Sequence, residues 1–263
     1  MEREHQERIL DQFGQQAAPF AASPQIRNEE ALNRIVGMAA PTPDDNVLDV
    51  ACGPGRLACA FARVTRHVTG IDVTPQMLEQ ARALQQKEGL ENLTWRQAAV
   101  PPLPYADASF SIVCARFAFH HFLDPLAVLK EMRRVCRSGG RVVVADAAPE
   151  SNRADAFNEM ERLRDPSHVR ALSPEELVDL FATAGLPEPR LQRDLLPYEL
   201  ESLLARSFPK DGDADRIRRM FDESLQGDSL GVGAVRKDGK IWFSFPTAIV
   251  ASTITGSHFA TGR

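Results

Sequence analysis

No run of apolar residues in this chain approaches the roughly 18 needed to cross a bilayer, and its charged opening, MEREHQERIL, does not read as a signal peptide. A membrane role is therefore not expected. Basic residues are not in excess either: 31 Lys and Arg stand against 36 Asp and Glu, a net charge of −5. A general binder of nucleic acid or of an anionic membrane surface needs the opposite balance. Cysteine is scarce, and the four present, Cys52, Cys59, Cys114 and Cys136, form no C-x-x-C pair. All of them fall inside apolar strand or helix patterns. The expectation is buried free thiols in a reducing cytoplasm, not a disulfide framework or a zinc site. Internal repeats and low-complexity tracts are absent as well. With 263 residues, the chain has room for one large domain, or one domain plus a lid.

What is present centres on the stretch VLDVACGPGRLA, Val47 to Ala58. Val47, Leu48 and Val50 read as a short buried strand. Gly53 and Gly55 mark its end, where the backbone turns sharply and leaves room for a ligand. Leu57, Phe61 and Val64 recur at helical spacing. Strand, glycine turn and helix open a nucleotide-binding βαβ unit. The glycines also satisfy G-x-G-x-x-A, so a dinucleotide fits by spacing alone. Asp49 weighs against that reading, because a carboxylate at the mouth of the site repels a pyrophosphate and attracts a cation. S-adenosylmethionine carries a sulfonium and an ammonium and no phosphate. Asp72 ends the next apolar run, Val68 to Ile71, where a carboxylate accepts the hydroxyls of a ribose in either ligand.

Further strands are expected at Leu93 to Arg96, Phe110 to Cys114, Arg141 to Ala145, Arg190 to Leu196 and Ile241 to Val250, with Lys237-Asp238-Gly239 as a turn into the last. Helices are expected between them: Thr74 to Lys87 with proline at its first position, Pro125 to Cys136, and one opened by Ser173-Pro174-Glu175-Glu176. Alternating strands and helices predict a parallel, doubly wound α/β sheet. Residues 1–46 read as a helical arm, with one amphipathic helix broken by Pro19 and Pro24 and a second from about Gln25 to Met38. A polar insert at about 150–172 and helices at about 198–226 are candidate lid segments within the span 47–263.

VLDVACGPGRLA resembles the first motif of class I S-adenosylmethionine-dependent methyltransferases, and GIDVTPQMLEQAR, Gly70 to Arg82, resembles their second. LPYADASFSIV with the following HHFLDP resembles their fourth-strand region, and RSGGRVVVAD resembles the fifth strand and its lead-in. The nearest likeness is to small-molecule enzymes of the ubiquinone and menaquinone biosynthesis type. The resemblance implies a Rossmann-like, mostly parallel seven-stranded sheet with the last strand antiparallel, helices on both faces, and a helical lid. It implies S-adenosylmethionine as cofactor, held by Asp49, Ala51, Gly53, Gly55, Asp72, Val73, Met77, Ala99, Val100 and Ala115, with Phe20 of the arm folding near the acceptor. One departure is Ala99, which stands where the family usually places an acid against the adenine amino group.

Methyl transfer needs a positioned nucleophile and exclusion of water, so no fixed catalytic motif is required. His120 follows the fourth strand and reads either as acceptor contact and base or as a structural hydrogen bond; the adjacent His120 and His121 have no third ligand for a metal. Arg116 reads as an anchor for an acidic acceptor or as a salt bridge within the fold. Asp146 ends the fifth strand at the same edge. His168 and Arg170, in DPSHVR, either reach an anionic acceptor from a lid or belong to a solvated loop organised by Asp165 and Ser167. The function expected is methyl transfer to a small-molecule acceptor by a cytoplasmic monomer or homodimer, without nucleic-acid or membrane partners. Non-methylating use of S-adenosylmethionine, such as a cyclisation, and non-catalytic binding stand as alternatives.

Overall fold

Apolar β-branched segments that bury both faces build the centre of the sheet. In β1 (Asn46–Val50) Val47, Leu48 and Val50 are fully buried, as are Ile112, Val113 and Cys114 of β4 (Phe110–Arg116) and Val142 to Val144 of β5 (Cys136–Ala147). Parallel strands covered on both sides need such continuous apolar runs. The computed structural model describes residues 2–255. Met1 of the expected arm and residues 256–263 of the expected main span lie outside the described residues.

β2 (His67–Asp72) and β3 (Leu93–Gln97) extend the sheet on one side of β1, and β4 and β5 extend it on the other, all parallel. β6 (Arg190–Glu199) and β8 (Lys240–Thr253) complete the order β3-β2-β1-β4-β5-β8-β6, with β8 antiparallel to both neighbours. An eighth strand, β7 (Val235–Lys237), pairs with the start of β8 across the Lys237–Asp238–Gly239 turn. Asp238 and Gly239 have φ of 53° and 74°, the left-handed pair that a tight hairpin needs. The sheet therefore holds one strand more than the seven expected.

Helices α3 (Arg56–Ala62) and α2 (Glu29–Ala39) share a buried cluster with Val47, Ile112, Cys114 and Val143. Helices α5 (Pro125–Val135) and α7 (Pro174–Thr183) cover the opposite face through Leu48, Val50, Val113, Val142 and Val144. Alternate residues of one strand thus feed opposite cores, as the pleat requires. Both helices begin with proline behind a side-chain cap, Asp124 and Ser173, the second completing a capping box with Glu176. The remaining sheet helix, α4 (Pro75–Glu88), ends at Gly89 with φ 65°.

The N-terminal arm differs from expectation. α1 (Glu2–Ala22) runs unbroken through Pro19. That proline lies in the last turn, so it removes one rung close to an end already short of partners. Residues 23–28 form the turn, and α2 starts at Glu29 under an Asn28 cap, four residues later than expected. Gln12 and Gln16 donate to the Ser207 carbonyl oxygen at 2.9 and 2.7 Å, and His5 Nε2 to that of His121 at 2.7 Å. The two candidate lid segments contain α6 (Ala154–Arg164), a short α8 (Leu200–Leu204) and α9 (Asp213–Ser224). Phe157, Leu203, Ile217 and Phe221 join the free ends of β6 and β8 in a third buried cluster, separate from the two on the sheet.

Candidate functional site

The turn after β1 carries three left-handed residues, Ala51, Gly53 and Gly55, with φ of 53°, 51° and 76°. Each glycine is required for a different reason. A methyl group on Gly55 would lie 2.6 Å from Trp95 and 2.9 Å from the Ala81 Cβ, so this residue is where the turn packs on the fold. A methyl on Gly53 would meet nothing within 4 Å, so it faces open space. That space is a cavity of about 380 Å³ over the carboxyl ends of β1, β2 and β4, the ligand edge of such a sheet.

Asp49, Ala51, Gly53, Asp72, Val73, Met77, Ala99, Val100, Phe20 and Arg116 line this cavity. The structure thus brings together most residues that the sequence singled out, from α1 to β4. Two stand apart. Gly55 lies behind the turn, and Ala115 is buried within the sheet core.

Asp49 is buried, and its Oδ2 has no hydrogen-bond partner among the described residues. Burial raises its carboxyl to about 7, against the pull of the Ala58 N–H and of Arg116. An unpartnered buried carboxylate oxygen in a cavity wall is suited to a cation. Asp72 accepts the N–H groups of Gly53 and Thr74, both at 2.8 Å, one on each oxygen. It ties β2 to the glycine turn and leaves further lone pairs free for a ligand. Burial raises its pKa, although those N–H groups oppose the shift. Arg116 donates to the carbonyl oxygens of Gln25 and Ile26, both at 3.1 Å. It forms no ion pair among the described residues, so in place of the salt bridge that one reading offered it clamps the turn between α1 and α2. Burial lowers its pKa to about 10.

A second cavity of about 80 Å³ adjoins the first; Phe13, Phe20, Ile26, Phe117 and His121 line both. His120 faces this second cavity. Its Nδ1 donates to Asp146, which also accepts the Phe119 and Ala147 N–H groups at 2.6 and 2.7 Å. Asp146 therefore lines neither cavity; it sits behind His120 and fixes its tautomer, leaving Nε2 unprotonated. Burial pushes the His120 pKa down, but the Asp146 charge and hydrogen bond more than offset this and hold it above the ordinary value. His121, by contrast, is lowered to about 4 by burial and by His120, and is neutral near pH 7.

The other two candidates do not reach either cavity. His168 is buried on the Asn158 Oδ1 at 2.7 Å, and Arg170 forms an exposed ion pair with Glu176. Their loop is not solvated, as one reading had it. Asp165 and Ser167 are almost wholly buried, and Ser167 donates to Asp165 through both its N–H and its hydroxyl. The backbone N–H groups of Val169 and Arg170 close the loop on the His120 carbonyl oxygen. The sequence reasoning missed His121, Phe117 and Phe13. Phe13 repeats at helical spacing and reads as core; Phe117 carries no sequence signal for its φ of 51°.

A sheet of this order, with a glycine turn and a carboxylate on each of its first two strands, defines a nucleoside-binding α/β fold of the S-adenosylmethionine type. Residues 48–144 match the methyltransferase domain family. The chain is 34% identical over 196 residues to the uncharacterized methyltransferase YcgJ of Bacillus subtilis, a match covering 74% of this chain and 78% of that one. A crystal structure of YcgJ superposes with a TM-score of 0.78 at 27% identity, over 87% of this chain and all of the other. A 27-O-demethylrifamycin SV methyltransferase of Amycolatopsis mediterranei is 31% identical over 74% of this chain and 70% of its own. A ubiquinone/menaquinone biosynthesis C-methyltransferase of Bdellovibrio bacteriovorus is 39% identical over 43% of this chain and 48% of its own. The chain belongs to the S-adenosylmethionine-dependent methyltransferase family, and S-adenosylmethionine is its cofactor.

Proposed function

We propose that this protein transfers a methyl group from S-adenosylmethionine to a small-molecule acceptor whose nucleophilic atom carries a proton, and that it works in the cytoplasm. The observation that carries the reading is the adjacency of two differently built cavities, one walled by Asp49 with its unpartnered Oδ2 and the other faced by His120 on Asp146. The larger cavity suits the cofactor. Asp49 attracts the ammonium end, the space over Gly53 admits the backbone-hugging part of the ligand, Asp72 accepts ribose hydroxyls, and Met77 and Val100 are apolar walls for the adenine. Ala99 offers no acid to the adenine amino group, so that contact falls to the backbone.

When bound, S-adenosylmethionine supplies an electrophilic methyl carbon: the acceptor's lone pair forms the new bond while the carbon–sulfur pair returns to sulfur. The chain's own residues do the rest. His120 Nε2 takes the acceptor's proton, Asp146 holds the ring and stabilises the imidazolium that results, and α1 roofs both cavities against water. The four cysteines, buried and free, suit a reducing compartment, and no helix among the described residues is long and apolar enough to cross a membrane.

The test is a calorimetric titration with S-adenosylmethionine, S-adenosylhomocysteine and NAD. Saturable binding of the first two and none of NAD is expected, because Asp49 repels a pyrophosphate. No binding of either sulfur nucleoside would overturn the proposal. Incubation with S-adenosylmethionine alone separates the cyclisation alternative, which would release methylthioadenosine without S-adenosylhomocysteine.

A further inference from the structure

The wall of the second cavity carries two carboxylates, Glu161 and Asp165, and two guanidiniums, Arg164 and Arg206, but they do not all pair with one another. Glu161 and Arg164 satisfy each other through two parallel contacts at 2.6 and 2.7 Å. Asp165 accepts hydrogen bonds from the hydroxyl and N–H of Ser167, and Asp146 accepts one from His120. Arg206 has no carboxylate. Its guanidinium reaches only the Ser202 hydroxyl at 3.0 Å and the Gln25 amide oxygen at 3.4 Å. Arg206 nevertheless lines the cavity. The one positive charge in this wall left without an anion among the described residues therefore faces the space where an acceptor would lie.

The rest of the wall is aromatic. Phe13, Phe20, Phe117, Tyr198 and Phe245 line it, with Tyr198 backed by a stacked Phe243 at 5.6 Å between centroids. Rings take flat apolar faces edge-on or offset. At about 80 Å³ the cavity is smaller than the roughly 150 Å³ that holds one isolated benzene. A ring must therefore straddle the junction with the first cavity, at Phe13, Phe20 and Phe117, which line both. A planar guanidinium grips a carboxylate with two parallel hydrogen bonds, and the free Nε2 of His120 accepts a hydroxyl proton.

We infer that the acceptor is a small aromatic hydroxy acid, with its ring in the phenylalanine junction, its hydroxyl toward His120 and its carboxylate on Arg206. This rests on the methyltransferase reading above. It is tested with three phenols that differ only in charge: 4-hydroxybenzoate, 4-hydroxybenzamide and 4-hydroxybenzylamine. Each is titrated into the full chain saturated with S-adenosylhomocysteine.

The benzoate is expected to bind at least about tenfold more tightly than the amide, the increment of a charge-assisted hydrogen bond over a neutral one, and the amine least of all. Arg206→Gln should remove that preference by weakening the benzoate alone, and Arg206→Lys should retain much of it. An unchanged affinity for S-adenosylhomocysteine shows that each variant is folded. Equal affinity for benzoate and amide, a preference that survives Arg206→Gln, or binding of none of the three overturns the inference. Failure of S-adenosylhomocysteine to bind the unaltered chain would instead overturn the donor reading. The same three titrations on the unliganded protein would then decide the role of Arg206 by the same criteria.

Discussion

Asp49 and His120 are both buried ionisable groups, and their opposite environments give them opposite uses. Burial pushes the Asp49 carboxyl up to about 7, outweighing the Ala58 N–H and the Arg116 charge. An ammonium ligand binds the ionised form. Below pH 7 binding must expel a proton, so affinity for S-adenosylmethionine should rise about tenfold per pH unit between pH 5.5 and 6.5 and level off above 7. It should fall again once the ligand's own amino group deprotonates, near pH 8. Asp49→Asn should flatten the acid limb, and calorimetry across that range measures both slopes. His120 works in the other direction. Asp146 holds its pKa above the ordinary value, and a base must be neutral, so kcat should rise with pH through the region above about 6.5. His120→Ala should lower kcat by about 10²–10⁴. Asp146→Asn should lower it less and move the acid limb to lower pH, which distinguishes a positioning role from a purely structural one.

At the scale of elements, the β1 turn separates stability from binding within three residues. Gly55→Ala drives a methyl into Trp95 and Ala81 at a φ of 76° and should cost about 2–4 kcal/mol in a urea melt, strain and overpacking together. Gly53→Ala meets nothing in the protein. It should cost about 1 kcal/mol of strain while obstructing the cavity, so S-adenosylmethionine affinity falls more than stability does. This turn was legible in sequence because its signals are local: a buried β-branched run, two glycines, a helical repeat. What was not legible depends on partners distant in the chain. β7 has three exposed residues and no apolar alternation, so only its pairing with β8 makes it a strand. Pro19 reads as a helix breaker, yet α1 continues through it while contacts to Ser207 hold the helix from the far side. His120 was visible as a residue after the fourth strand. Its bond to Asp146 was not, because it arises from the parallel pairing of Arg116 with Ala145, which brings two strand ends together. One reading of the loop at Asp165 to Arg170 put it on the surface because it is polar, but Asp165 and Ser167 satisfy each other and so can be buried.

At the scale of the whole molecule, neither cavity is closed by the sheet. The roof is α1, and it is held by side-chain bonds to backbone carbonyls on separate elements, Gln12 and Gln16 to Ser207 and His5 to His121. Ligand bound beneath it should stabilise the fold by mass action: at about one hundred times Kd, S-adenosylhomocysteine should add about 2.7 kcal/mol and raise Tm by about 5–10 °C. Release, however, need not unfold the sheet. The three buried clusters lie under the sheet helices and between α6, α8, α9 and the ends of β6 and β8, so α1 can lift as a local event that costs far less than global unfolding. Replacing Gln12 and Gln16 together with Leu removes two bonds of about 1 kcal/mol each from the closed state only. The dissociation rate of S-adenosylhomocysteine should then rise by about one order of magnitude or more in a stopped-flow displacement, and amide exchange in α1 should quicken. Exchange in β1, β4 and β5 should not change. If core exchange rose in step with α1, the helix would be part of the cooperative fold and not a roof, and ligand release would have to follow another path.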